Sequence, residues 1–167
     1  MSSASPTELR KVFSSFATGV TVITGIGERN QAVGVTISSF NTVSLDPPLV
    51  LWSLSERSVL NTSFAVGKKQ LIHVLERSQE ALAMRFAKTS DDQFTGVDYV
   101  TQPSGLAKLP DCVAYFECET IATYPGGDHR IIVARILHCK LHEERKPLIF
   151  SRSQFTGLSM PEHSPTE

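Results

Sequence analysis

The chain has 167 residues, 41% of them hydrophobic and 20% charged, enough to bury a core without disulfide or metal staples. Sixteen Lys and Arg against seventeen Asp and Glu give a formal net charge of −1, which removes the electrostatic case for DNA, RNA or an anionic membrane as the main partner. No stretch approaches the ~20 apolar residues that span a bilayer. The opening MSSASPTELRK has neither the basic start nor the apolar core of a secretory signal. Cys112, Cys118 and Cys139 are odd in number and show no CxxC spacing, so reduced thiols in a cytoplasmic protein are expected.

The first element in chain order is a helix. Ser5-Pro6-Thr7-Glu8 fits a capping box, and Leu9, Val12, Phe13 and Phe16 follow at helical spacing up to Gly19. The period then changes to two. Residues 20–24 predict a β-branched strand, 25–30 a turn, and 32–40 a second strand paired with the first. Residues 41–48, with Asp46-Pro47-Pro48, predict a turn. Residues 49–54 are a continuous apolar run and predict a buried strand. Ser58 is placed to cap a short helix through Phe64. Residues 71–75 predict a strand, and Ser78 is placed to cap a helix running to Ala87. Residues 91–110 are polar and irregular. Two long alternating strands follow over 113–122 and 131–141, joined by a turn at 124–127, then a short strand at 148–150. Residues 160–167 read as a frayed tail, leaving one domain with its core over about 8–158. Six or seven strands with few helices predict a mainly β fold, a closed or nearly closed antiparallel barrel.

Several chemistries are set aside by spacing. Gly25-Ile26-Gly27 lacks the third glycine of a dinucleotide fingerprint and precedes a strand rather than a helix. A Walker lysine motif and a GxSxG elbow are missing. His138 and His142 are four apart on a strand, ~13 Å, too far to share one metal ion, and no metal is expected. Asp128-His129 suggests part of a triad, but adjacent strand residues point to opposite faces, so no dyad is expected. Two hydroxyl-rich segments remain: residues 36–44, and Ser53, Ser55, Arg57 and Ser58. Hydroxyls, turn amides and one guanidinium suit a phosphate; the same residues also serve as ordinary strand threonines and caps.

These residues carry a resemblance. Phe16-Ala17-Thr18-Gly19-Val20-Thr21-Val22-Ile23-Thr24 resembles the opening of the flavin reductase-like, FMN-binding split-barrel family. Gly34-Val35-Thr36, continuing through Ser44-Leu45-Asp46-Pro47-Pro48-Leu49-Val50-Leu51, resembles its central block. Gly127-Asp128-His129, Pro147-Leu148 and Phe155 resemble the later ones, in the family's order from about Glu8 to Leu158. The resemblance implies a six-stranded Greek-key split barrel with a few flanking helices, and a homodimer. It implies an NAD(P)H:flavin oxidoreductase that passes hydride from NADH or NADPH to FMN or FAD, with reduced flavin diffusing to a separate monooxygenase. Carried over by position, Thr36, Ser38 and Ser39 line the flavin. Ser53, Ser55, Arg57 and Ser58 meet its phosphate. His73, Val74 and Leu75 border the ring or ribityl chain, Phe155 covers the ring, and His129 sits near the nicotinamide as the catalytic residue. The chain departs from the family at Ile37-Ser38, where Ala-Asn is common, at His73, where Asn is common, and at Ala134, where glycine is frequent and the methyl group is expected to narrow the cofactor space. Two alternatives of the same fold stay open: a flavoprotein reducing a corrinoid or iron chelate, and a non-catalytic flavin-binding module.

Overall fold

The computed structural model describes residues 4–158, so the tail expected at 160–167 lies outside the described residues. Helix α1 (Pro6–Phe13) carries the capping box: the Ser5 hydroxyl accepts from the Glu8 amide while the Glu8 carboxylate accepts from the Ser5 amide. A short strand β1 (Thr18–Gly19) leads to the hairpin β2 (Thr21–Ile26) and β3 (Ala32–Ile37). β4 (Asn41–Leu45), β5 (Pro48–Ser55), β6 (Lys69–Val74) and α2 (Glu80–Phe86) follow. A small ribbon, β7 (Val100–Thr101) with β8 (Ala107–Lys108), interrupts the irregular stretch. The long pair β9 (Ala114–Gly126) and β10 (His129–Leu141) comes next, then β11 (Leu148–Ser151) and β12 (Gln154–Gly157).

Seven strands form one antiparallel sheet in the order β3-β2-β6-β9-β10-β5-β4. Its two edge strands, β3 and β4, are consecutive in sequence and joined only by Ser38, Ser39 and Phe40. Four Cα steps reach at most ~15 Å. In a flat sheet, six inter-strand gaps would hold those edges ~29 Å apart. The sheet therefore curls until its edges nearly meet, and since β3 and β4 are not paired, it is a split barrel with its seam at residues 38–40.

Alternate residues fill the interior: Ile23, Val50, Trp52, Leu54, Ile72, Cys118 and Ile132 are all buried in one cluster. The Trp52 indole donates to Gln70 Oε1 (2.9 Å), and the Gln70 amide donates to Thr120 Oγ1 (2.9 Å), so a satisfied polar chain ties β5, β6 and β9 together inside it. A second layer covers the outside of β2 and β6, where Val22, Leu75, Ala83, Phe86 and Leu109 pack together.

The structure corrects several expectations. Residues 41–45 form β4, and only Asp46–Pro47 turns the chain; Pro48 is tolerated because it opens β5. β5 is not buried on both faces: Val50, Trp52 and Leu54 point in, whereas Leu49, Leu51, Ser53 and Ser55 stay half-exposed. Residues 58–64 make turns rather than a helix. Ser78 does not cap α2, because its hydroxyl donates to Glu76 instead.

His73 is a core residue. It is fully buried on β6, its Nδ1 donates to the Val22 carbonyl (3.0 Å), and its Nε2 accepts from the Leu109 amide (3.2 Å). Burial pushes its pKa down from 6.5 to about 4, so the folded chain holds it neutral while the unfolded chain protonates it near pH 6.5. The unfolded state thus binds the extra proton, and stability falls as pH drops from about 6.5 towards 4. His73→Gln, whose amide can still donate and accept, is expected to flatten this part of the Tm–pH curve. An unchanged slope between the two proteins would assign the acid sensitivity elsewhere.

Candidate functional site

The outward faces of β5 and β10 meet in register, with Ser55 opposite His129 and Ser53 opposite Ile131. β9 continues the same rows, placing Gly126 beside His129 and Tyr124 beside Ile131. This makes a half-exposed terrace with hydroxyls on one strand and an imidazole on the next. Gly127, at φ +74°, makes the turn that starts β10 at His129.

The loop after β5 is held by one side chain that the sequence reading did not single out. The Asn61 amide donates to the carbonyls of Ser55 (3.1 Å), Glu56 (3.1 Å) and Ser58 (2.8 Å). The Ser55 hydroxyl accepts from the Arg57 amide, and that of Ser58 from the Leu60 amide. The loop is also fastened to the β9–β10 turn: the Glu56 amide donates to the Asp128 carbonyl (3.0 Å), and Arg130 pairs with Glu56 at 3.1 Å. The exposed Arg57 guanidinium has no hydrogen bond or ion pair among the described residues. Asn61 Oδ1 is buried without a partner.

The seam joins this terrace to a cleft. Ser39 Oγ accepts from the Ser53 amide (3.0 Å) and donates to its carbonyl (3.4 Å). Ser38, Ser39, Phe40 and Asn41 then form one wall of a cleft of about 680 Å³, and Phe13, Phe16, Thr18 and Phe150 form the other. Thr18 Oγ1 is buried there without a partner. Phe155 stands behind Phe150, ring centroids 5.3 Å apart.

The expected residues therefore separate. Ser38, Ser39, Ser53, Ser55, Arg57, Ser58 and His129 form one continuous tract, with Phe155 one ring behind it. Thr36 does not offer its hydroxyl to this tract; it donates to the Ala83 carbonyl at 2.7 Å and anchors α2. His73, Val74 and Leu75 also fall outside it. β6 is separated from β5 by β9 and β10 in the sheet, His73 and Leu75 are sealed under the outer layer, and Val74 follows Ile72 on the interior side. Ala134 is fully buried among interior residues, so its methyl group does not narrow the terrace. The excluded dyad does form: His129 Nδ1 donates to Asp128 Oδ1 at 2.7 Å. Asp128 belongs to the turn rather than to β10, so strand alternation does not govern its side chain. This bond holds the Asp128 carboxyl below its usual range.

The flavin reductase like domain profile matches residues 13–159. The chain belongs to that family. It is 38% identical over 150 residues to the FMN reductase (NADH) SmoA of Agrobacterium fabrum, covering 90% of this chain and 84% of the relative. It is 33% identical over 153 residues to HsaB of Rhodococcus jostii, the reductase subunit of a flavin-dependent monooxygenase, covering 92% and 78%. Among solved structures, the Streptomyces globisporus NADH:FAD oxidoreductase SgcE6, in complex with NAD and FAD fragments, superposes with a TM-score of 0.87. It shares 35% identity over 98% of this chain and 99% of that one.

The donor set suits the ligands of a flavin reductase. Serine hydroxyls and an unpaired guanidinium at one end match a phosphate, and the cleft has the size and mixed lining of a small-molecule site. Asn61, Asp128, Phe13, Phe16, Thr18 and Phe150 were not assigned to the site from sequence. Asn61 gave no signal, because its three acceptors are local carbonyls. Phe13 and Phe16 were read as helical spacing in a helix running up to Gly19, but α1 ends at Phe13, and both side chains are exposed. Asn61→Ala removes all three loop hydrogen bonds, and a loss of about 1–3 kcal/mol in denaturant unfolding is expected, with faster amide exchange at residues 56–60. Unchanged exchange there would show that the Asp128 and Arg130 contacts suffice to hold the loop.

Proposed function

We propose that this chain is an NAD(P)H:flavin oxidoreductase whose reduced flavin supplies a separate monooxygenase. The observation that carries this reading is the single tract linking Arg57 and Ser58, through Ser55 and Ser53, to the seam cleft, with His129 across one strand pair. Family membership and relatives named as NADH-dependent FMN and FAD reductases support it. HsaB, named as a reductase subunit, supports a monooxygenase partner.

When bound, flavin supplies a two-electron acceptor whose N5 takes hydride from C4 of a reduced nicotinamide. The residues' task is to bind and orient. Arg57 and Ser58 hold the phosphate end by charge-assisted bonds. Ser39 and Ser53 bond to each other at the seam, so the polar edge of the cleft is already formed without a ligand. His129 borders the terrace where the nicotinamide is received. Among the described residues, no cluster of His, Cys, Asp or Glu is arranged to hold a metal ion.

The same reading includes a homodimer. Leu45 is 96% exposed, and Val43, Leu137 and Leu141 are also exposed on β4 and β10; α1 buries none of its residues, and Phe13 at its end and Phe16 just after it are exposed. A second copy covering these faces would close the seam cleft, which Phe13 and Phe16 line and which Asn41 at the start of β4 borders. Sedimentation is expected to give a dimer at micromolar concentration; a clean monomer with full activity would remove this part.

The activity test is NADH and NADPH oxidation, each with FMN and with FAD, with and without a chelator. Steady turnover with excess free flavin, unaffected by the chelator, is expected. Turnover only with a bound flavin and an added metal complex would favour the chelate-reducing alternative, and flavin binding without NAD(P)H oxidation the non-catalytic one. Arg57→Ala is expected to weaken flavin binding about 10–150-fold, the equivalent of roughly 1.5–3 kcal/mol for a charged hydrogen bond. An unchanged titration would place the phosphate elsewhere.

A further inference from the structure

We infer that Asp128 is a positioning residue that fixes the ring and the tautomer of His129, so that Nε2 is presented to the terrace as a hydrogen-bond acceptor for the carboxamide N–H of a nicotinamide. The inference rests on the proposed function for the use made of His129, and on the structure for the pairing. Asp128 Oδ1 lies 2.7 Å from His129 Nδ1. A carboxylate only accepts, so Nδ1 carries the hydrogen and Nε2 keeps its lone pair in the neutral ring.

Asp128 is itself anchored. Its carbonyl accepts from the Glu56 amide at 3.0 Å, and the positive φ of Gly127 sets the turn before it. Three charged neighbours surround the pair. Arg57 lies close enough for its charge to reach Asp128, and Glu56 and Arg130 pair with each other beside them, at 3.1 Å. A side chain that is 93% exposed has no packing duty that would explain its place. The bond costs the imidazole its rotational freedom, which is what orienting a planar amide demands.

The test uses the full-length protein. Ring ¹⁵N spectra at about pH 8 report the His129 tautomer, with the signal assigned by its loss in His129→Ala. Anaerobic stopped-flow bleaching of flavin by NADH reports hydride transfer. The wild-type ring is expected as the Nδ1–H tautomer. Asp128→Ala is expected to move it towards Nε2–H and to slow bleaching about tenfold, with the flavin Kd changed less than about twofold. Asp128→Asn, whose amide oxygen still accepts, should keep the tautomer and most of the rate. In a His129→Ala background, itself about 10–100-fold slower, Asp128→Ala should add no further loss. Retention of the Nδ1–H tautomer in Asp128→Ala would overturn the inference, as would a further rate loss when His129 is already absent. A normal bleaching rate in His129→Ala would instead overturn the catalytic use of His129, while the ring spectra still decide the pairing.

Discussion

The three residues between β3 and β4 constrain everything else. Ser38, Ser39 and Phe40 cannot span the width of a flat seven-stranded sheet, so the sheet must curl until its edges face each other. The same three residues then stand at an open seam, with backbone groups not used in a ladder and hydroxyls free to bond sideways. Ser39 does so, meeting both the amide and the carbonyl of Ser53. The element that closes the fold is thereby also the wall of the cleft.

Function is distributed according to which face of the barrel a residue occupies. Trp52 and Leu54 point into the core, while Ser53 and Ser55, between and beyond them, point out to the terrace. One strand supplies both the packing that stabilises the fold and the hydroxyls that suit a ligand. The two histidines make the same contrast. His73 uses both ring nitrogens on backbone partners and is sealed from solvent, whereas His129 uses one nitrogen on Asp128 and leaves the other free at an exposed strand end.

Much of this was legible in the sequence. The capping box at Ser5 and Glu8, the β-branched hairpin and the two long strands after residue 112 follow from local chemistry, and the structure contains them. The ordered motifs pointed to the family and to the serines at the seam. What sequence could not supply was direction. Thr36 and Ser39 sit three apart in one hydroxyl-rich run, yet one anchors α2 and the other borders the cleft. Period-two reasoning failed where a residue had left the strand, as at Asp128, and the contacts carried over by resemblance to His73 and Leu75 met an outer layer that covers that face. The apolar spacing of α1 predicted the helix, which forms over Pro6–Phe13, but none of its residues is buried among the described residues.

The most direct measurement is a crystal structure of the protein with FMN and NAD. The account predicts the flavin phosphate at Arg57 and Ser58, the ring system along Ser53 and Ser39 at the seam, and the nicotinamide amide within hydrogen-bonding distance of His129 Nε2. A flavin seated against the outer layer at Thr36 and β6, with Arg57 and His129 free, would contradict it.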